Sequence, residues 1–308
     1  MDKLNRREFL GKAVVATGAV AAGSLSVSNL HQASAAPGVK KPTDKVTLGN
    51  SGLKISMVGV GTGSIGSGHQ SNQTRLGQEV FTQLMRHAFD NGINFFDLAD
   101  SYGSHPYFAR AMQGVPREQY VIQTKTDHRN PQHAKQDIDR FLNELGTEYI
   151  DSLIIHCVTE DDWTTKYRGV MDVFEEARQA GKIRAHGVTC HSFGALKAAA
   201  ASDWVQINQV RWNSKASHMD ADVETARALF AQMRQKGQGM IGMKVVGEGD
   251  LVRGGNAMSP NECYRFQVES GVVDAFVVGV EKIEHVDQLL HGTQFALNEV
   301  GYRLAAAL

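Results

Sequence analysis

A (β/α)8 TIM barrel with an N-terminal β-hairpin is the fold the sequence predicts, and two observations predict it. Helical stretches repeatedly end at a glycine, and an apolar run follows at once. Eight apolar runs of strand length can be counted, with connections long enough to hold helices. An open doubly wound sheet is the other arrangement with this rhythm. No GxGxxG opens a helix after the first run, which argues against its dinucleotide-binding form.

The elements follow in order. Residues 1–35 read as a leader: Arg6-Arg7 with Phe9-Leu10, an uncharged stretch from Ala13 to Val27, then small residues at Ala33–Ala35. A spanning helix wants roughly 20 predominantly apolar residues, and this run is shorter and diluted with Gly, Ala, Ser and Thr, so no stable membrane anchor is expected. The arginine pair resembles a twin-arginine signal, with Asn5 where Ser or Thr is usual. The expectation is export to the periplasm, or otherwise out of the cytoplasm, by the twin-arginine machinery. The barrel is expected over 45–305.

"VTLGNSGLKIS" gives two short strands around Asn50-Ser51-Gly52, a hairpin signal. "MVGVGTG" is the first barrel run. Val80, Phe81, Leu84, Met85, Ala88 and Phe89 recur at helical spacing and stop at Asn91-Gly92, before "INFFDLAD". "YVIQTK" is the third run. Ile138, Phe141, Leu142 and Leu145 stop at Gly146, before "DSLIIHCV"; Val170, Val173, Phe174 and Ala177 stop at Gly181, before "IRAHGVTC". "VQINQVRW" is the sixth run. Leu229, Phe230 and Met233 stop near Gly237, before "MIGMKVVG", and Gly271 precedes "AFVVGV". Glycine suits the left-handed residue that closes a helix. Runs that are apolar throughout suit parallel strands covered on both faces.

The formal net charge is -1 and no long run of one sign occurs, so nothing in the charge pattern calls for nucleic acid or an acidic membrane as partner. Cys157, Cys190 and Cys263 are odd in number and widely spaced, which fits neither a disulfide framework nor a cysteine-rich metal site.

In a barrel of this kind chemistry sits where strands end and loops begin. The second run ends in Asp97, Asp100 and Tyr102, the third in Lys125, the fourth in His156, the fifth in Thr189, Cys190 and His191. Gln209 lies in the sixth and Lys244 in the seventh. Each alone has an ordinary structural reading as a turn cap, a snorkelling lysine or a core histidine. Together they suit one task. A tyrosine hydroxyl, with a reference pKa of roughly 10, holds its proton at neutral pH. A neighbouring ammonium would lower that pKa, and an aspartate would hold the ammonium in place. A histidine could orient a substrate oxygen. Such a set can protonate an oxygen that becomes negative when hydride reaches a carbonyl carbon.

The chain from "LGNSGLKIS" to "GVEKIEHVDQLL" resembles the aldo-keto reductase family. "DLADSYG" is similar to that family's D-x-A-x-x-Y-G signature, with Lys125 in "QTKT" and His156 in "LIIHCV" following in order. The resemblance implies a reductase or dehydrogenase that uses NADP or NAD, NADP being the commoner cofactor, on a small carbonyl or alcohol. It implies Tyr102 as proton donor, Lys125 as its pKa-lowering partner, Asp97 as anchor and His156 as orienting group. Asp100 and Gly103 are left to the turn.

The expected cofactor contacts are Thr189, Cys190, Gln209, Met243, Lys244 and Lys282. Here the chain departs from the family pattern. Cys190 stands where an asparagine is usual, and Met243 where an aromatic ring is. Glu281 and Glu284 flank Lys282 where the 2′-phosphate of NADP is commonly gripped. Two other readings stay open: a barrel without catalysis that binds a nucleotide or other small molecule, and a metal-dependent hydrolase or isomerase gathering Asp97, His156, Cys157, Cys190 and His191. Trp163, Tyr167 and Trp212 are possible walls of a substrate site.

Overall fold

Eight parallel strands pair edge to edge until the last meets the first. A computed structural model describes residues 39–306, and the expected leader lies outside the described residues. Before the barrel, β1 (Lys45–Thr47) and β2 (Lys54–Ser56) pair antiparallel as the expected hairpin, with Val46 opposite Ile55. In chain order there follow β3 (Val58–Gly61), α1 (Asn72–Arg75), α2 (Gln78–Asp90), β4 (Phe95–Asp97), α3 (His105–Ala111), β5 (Val121–Thr126) and α4 (Pro131–Leu145). The middle of the chain holds β6 (Ile150–Val158), α5 (Trp163–Lys166), α6 (Arg168–Gln179), β7 (Ile183–Cys190), α7 (Phe193–Ala201) and β8 (Ile207–Arg211). The remainder is α8 (Val223–Gln235), β9 (Gly239–Met243), α9 (Pro260–Ser270), β10 (Ala275–Gly279) and α10 (Ile283–Ala306). β10 bonds to β3 on one edge and β9 on the other, and this closes the barrel. No helix among the described residues is long and apolar enough to cross a membrane.

Two glycines show why the helices stop where they do. Gly146 after α4 and Gly271 after α9 are left-handed, with φ of 63° and 60°, a conformation that costs a side-chain-bearing residue about 1–2 kcal/mol.

The hairpin plugs the amino-terminal end of the barrel. Val46, Leu48, Leu53 and Ile55 are buried against Ile207, Ile241 and Ala275 of the strands, in one cluster with Ala296 and Leu297 of α10. The Asn50 amide donates to the Gly237 carbonyl at 2.7 Å and ties the hairpin turn to the start of β9. With that end closed, the opposite end is the one open to function.

Two runs stop earlier than their apolar text suggests. β4 ends at Asp97, and a 3-10 turn over Asp100–Tyr102 follows. β9 ends at Met243, because Lys244 turns left-handed at φ 53° and the chain enters the 3-10 segment Gly247–Val252. In both places the ladder ends where the chain turns out across the mouth.

Candidate active site

Side chains alternate across a strand, so every second residue of β4, β5, β6 and β8 points into the barrel. Near the carboxyl-terminal end those residues are polar, and they bond to one another. The Asp97 Oδ1 accepts from Lys125 Nζ at 2.6 Å and from Gln123 Nε2 at 2.9 Å; its Oδ2 accepts from Gln209 Nε2 at 2.9 Å. Ser152 donates to Gln123 Oε1 at 2.9 Å, and Lys125 also donates to the Leu98 carbonyl at 2.7 Å. Lys125 is wholly buried and Asp97 nearly so. A buried charge pair persists only when its remaining hydrogen-bonding capacity is also met, and here Gln123, Gln209 and the Leu98 carbonyl meet most of it.

The turn after β4 delivers Tyr102. Its amide donates to the Ala99 carbonyl, and Gly103, at φ 62°, turns the chain where a Cβ would overlap the His69 carbonyl. Asp100 belongs to this turn. Its two oxygens accept from Nη1 and Nη2 of Arg140 on α4, each at 2.8 Å. The Tyr102 ring lies against Gly63 and Gly66, where a Cβ on either glycine would collide with it.

Lys125 Nζ sits 4.9 Å from the centroid of the Tyr102 ring. It faces the ring, while its hydrogen bonds go to Asp97 and Leu98. A cation so placed favours the phenolate, but it is outweighed here. Burial, followed by the Asp97 charge, pushes the Tyr102 hydroxyl well above its ordinary value. The resting hydroxyl keeps its proton, as a donor must.

His156 Nε2 stands 3.4 Å from the Tyr102 oxygen, and its Nδ1 is 2.8 Å from Asp127 Oδ1. Burial pulls the His156 pKa down, opposed by its bond to Asp127. Burial alone would raise the Asp127 pKa. Its contacts with His156, Ser101 and Arg129 outweigh that and hold the carboxyl below its ordinary range. Arg129 also donates to the His156 carbonyl. Asp127 and Arg129 are the functional neighbours that sequence reasoning missed. The one signal for them was their place in the loop just past the end of β5, two and four residues after Lys125.

Beside Tyr102 opens a cavity of about 260 Å³, reaching toward the start of α10. Asp97, Tyr102, Met243 and Lys244 line it, together with Glu281 and Asn72, whose Nδ2 donates to Glu281 Oε1 at 2.8 Å. Lys244 is paired with Glu248. Lys282 is exposed and is not among the residues lining the cavity; Glu281 is the one turned inward. Cys190 also departs from expectation. β7 directs Thr189 into the barrel and Cys190 outward, where it is buried with its ladder partner Val158 in the layer beneath the helices. Trp163 and Trp212 are core residues, their ring N–H groups bonded to the Ala195 carbonyl and the Ser270 hydroxyl. Tyr167 is buried too and donates to Glu160.

Two unpaired acceptors suit the N–H groups of a nicotinamide carboxamide. Thr189 Oγ1 and Gln209 Oε1 are buried without hydrogen-bond partners; neither residue is among those lining the cavity, but Gln209 is bonded to Asp97, which lines it. A buried acceptor left unpaired costs about 1–3 kcal/mol, and an amide N–H would remove that cost. Among the described residues no three His, Cys, Asp or Glu side chains gather as metal ligands.

A model of the Aldo/keto reductase family matches residues 57–262. The L-galactose dehydrogenase of Arabidopsis thaliana is 29% identical over 153 residues, 46% of this chain and 47% of that protein. The NADH-specific methylglyoxal reductase of Escherichia coli (strain K12) is 27% identical over 166 residues, 46% of this chain and 51% of that one. The chain thus spans about half the length of these curated relatives. Among solved structures, an aldo-keto reductase from Klebsiella pneumoniae in complex with NADPH superposes with a TM-score of 0.63 at 17% identity. It covers 83% of this chain and 90% of that one, a likeness of fold.

Proposed function

The chain belongs to the aldo/keto reductase family, and on that premise we propose that it transfers hydride between a nicotinamide dinucleotide and a small carbonyl or alcohol substrate. Tyr102 is the proton donor in this reading, Lys125 and Asp97 fix the charge behind its ring, and His156 faces its hydroxyl. The observation that carries the reading is the Tyr102 hydroxyl: it lies beside a cavity, faces His156 Nε2, and has Lys125 and Asp97 behind its ring. A hydroxyl so held can protonate a developing alkoxide, a contribution of roughly two to four orders of magnitude in rate.

Thr189, Gln209 and Met243 would hold the nicotinamide end of the cofactor. The bound cofactor supplies the two electrons and the hydrogen exchanged with carbon. The protein's residues bind it, keep water from the reacting carbon and govern the proton. A negative 2′-phosphate would meet the Glu281 carboxylate, whereas a 2′-hydroxyl could donate to it. We therefore read the site as favouring NADH over NADPH. Fluorescence titration of the purified protein with each nucleotide tests both points, after a denatured sample has been checked for nucleotide carried through purification. Saturable binding, tighter for NADH, supports the reading. No binding and no carried nucleotide would leave only a barrel without this chemistry.

Export is part of the proposal. Arg6-Arg7, Phe9-Leu10 and the small residues Ala33–Ala35 support a twin-arginine leader over 1–35. Such a route would carry the folded barrel with its nucleotide inside. Replacing both arginines by lysine should leave the protein in the cytoplasmic fraction; an unchanged distribution would sink the idea.

A further inference from the structure

Tyr102 gives or takes a proton in every turnover, and that proton has to reach water. Lys125 and Asp97 are buried and bonded to each other. The remaining neighbour of the hydroxyl is His156, whose side chain is 9% exposed and leans on Asp127, at 45% exposed. The loop after β5 holds this histidine twice, Asp127 on the ring and Arg129 on the backbone carbonyl. Ser101, from the same turn as Tyr102, approaches Nδ1 at 3.5 Å.

We propose that Asp127 is the positioning residue for His156, and that Tyr102, His156 and Asp127 form the line along which the reaction's proton leaves and returns. The proposal rests on the reading of Tyr102 as proton donor. A carboxylate can only accept, so Asp127 keeps a hydrogen on Nδ1. The nitrogen facing Tyr102 is then a lone pair when the ring is neutral and an N–H when it is charged.

When the substrate is an alcohol, its O–H bond breaks and the proton passes to the Tyr102 oxygen. The proton of Tyr102 moves to His156 Nε2, and the carbon's hydrogen with two electrons goes to the nicotinamide dinucleotide. The ring ends charged against the Asp127 carboxylate, which stays ionised. When the substrate is a carbonyl, each transfer reverses and the ring ends neutral. Water at the mouth then restores the ring. Asp127 thus sets the pH at which the line changes from acceptor to donor.

The charged and titratable groups around the ring are Tyr102, Asp127, Lys125, Asp97 and His191, with Arg129 on the backbone carbonyl and Cys157 next in the chain. Burial pushes the Cys157 thiol up to about 11 and His191 down to about 3. Neither changes charge between about pH 5 and 9. Asp127 raises the ring's pKa against the pull of burial. Removing Asp127 lowers that pKa. The falling limb of carbonyl reduction, which needs the charged ring, then moves to lower pH, and so does the rising limb of alcohol oxidation.

The test is the pH profile of kcat in both directions for the wild type, Asp127→Ala and Asp127→Glu. It is paired with nitrogen NMR of the ring, its signals assigned by their loss in His156→Gln. We expect Asp127→Ala to move both limbs down by about one unit and to cut reduction near neutral pH about tenfold, with KM nearly unchanged. Asp127→Glu restores part of both. The NMR of the wild type should show the hydrogen on Nδ1, and Asp127→Ala a mixture of tautomers. Equal loss of rate at every pH, or the same tautomer in wild type and Asp127→Ala, overturns the proposal. If the wild type turns over neither carbonyls nor alcohols, the reductase reading fails, and the relay falls with it. The NMR pair then decides whether Asp127 positions the ring at all.

Discussion

On the β4–β6 side of the mouth the charges are buried and cross-bonded from strand to strand. On the β9–β10 side they pair at partly exposed positions of a loop. Lys125 and Asp97 have side chains 1% and 7% exposed, held also by Gln123 and Gln209. Lys244 and Glu248 are 20% and 38% exposed, and both are left-handed, at φ 53° and 56°. The first arrangement tolerates little change, because each group is the partner that keeps another group's burial tolerable. The second can exchange partners with water. This division matches the labour proposed above, with fixed proton chemistry on one side and an adaptable grip on a nucleotide on the other.

The largest effect should come from the fixed side. Tyr102→Phe removes the hydroxyl and leaves the ring on Gly63 and Gly66. Turnover should fall by roughly two to four orders of magnitude, while nucleotide affinity, read by fluorescence, stays within about twofold. Turnover near the wild-type value would end the assignment of Tyr102. Lys125→Met comes next. It leaves Asp97 buried without its cation, so urea unfolding should report a loss of about 3–5 kcal/mol besides the loss of activity. A loss under about 1 kcal/mol would mean that this side is wetter than its burial implies.

How much of this could be read from the chain differs between the two sides for a physical reason. "NFFDLADSYG" announces itself, since two carboxylates after an apolar run are costly to bury unless each finds a partner, as Asp97 does in Lys125 and Asp100 in Arg140. Lys125 and His156 stand out in the same way, as ionisable groups inside apolar text. In β7 the alternation was there to be read: Arg184 and His186 share the face of Cys190 and bond outward to Asp151 and Glu175, which leaves Thr189 on the inner face. The structure turns Thr189 in. The same one-residue question decides between Glu281 and Lys282 at the entry to α10, and there Glu281 faces the cavity. Asp127 was hidden differently, in a polar loop whose text has no period. Its role exists only because β5 and β6 lie side by side, bringing it to His156.

On the adaptable side the effects should be smaller. Glu281→Lys replaces the carboxylate in the cavity with a cation. The ratio of NADPH to NADH affinity should rise about tenfold, an energy of about 1.4 kcal/mol, with stability little changed. An unmoved ratio in paired titrations would place the nucleotide's 2′ end elsewhere.

The smallest effect is expected at Glu248, where terms of opposite sign meet. Glu248→Gly removes the partner of Lys244, a partly exposed pair worth about 0–1 kcal/mol. It also frees a left-handed residue from a cost of about 1–2 kcal/mol, offset by the extra freedom glycine has in the unfolded chain, about 0.5–1 kcal/mol. These terms nearly cancel, so the change in stability should stay within about 1 kcal/mol by urea unfolding. A loss above about 2 kcal/mol would mean that the loop's charges are interlocked as tightly as those around Asp97. The contrast between the two sides would then be one of exposure only, and the β9–β10 side would have to be read as part of the same rigid site.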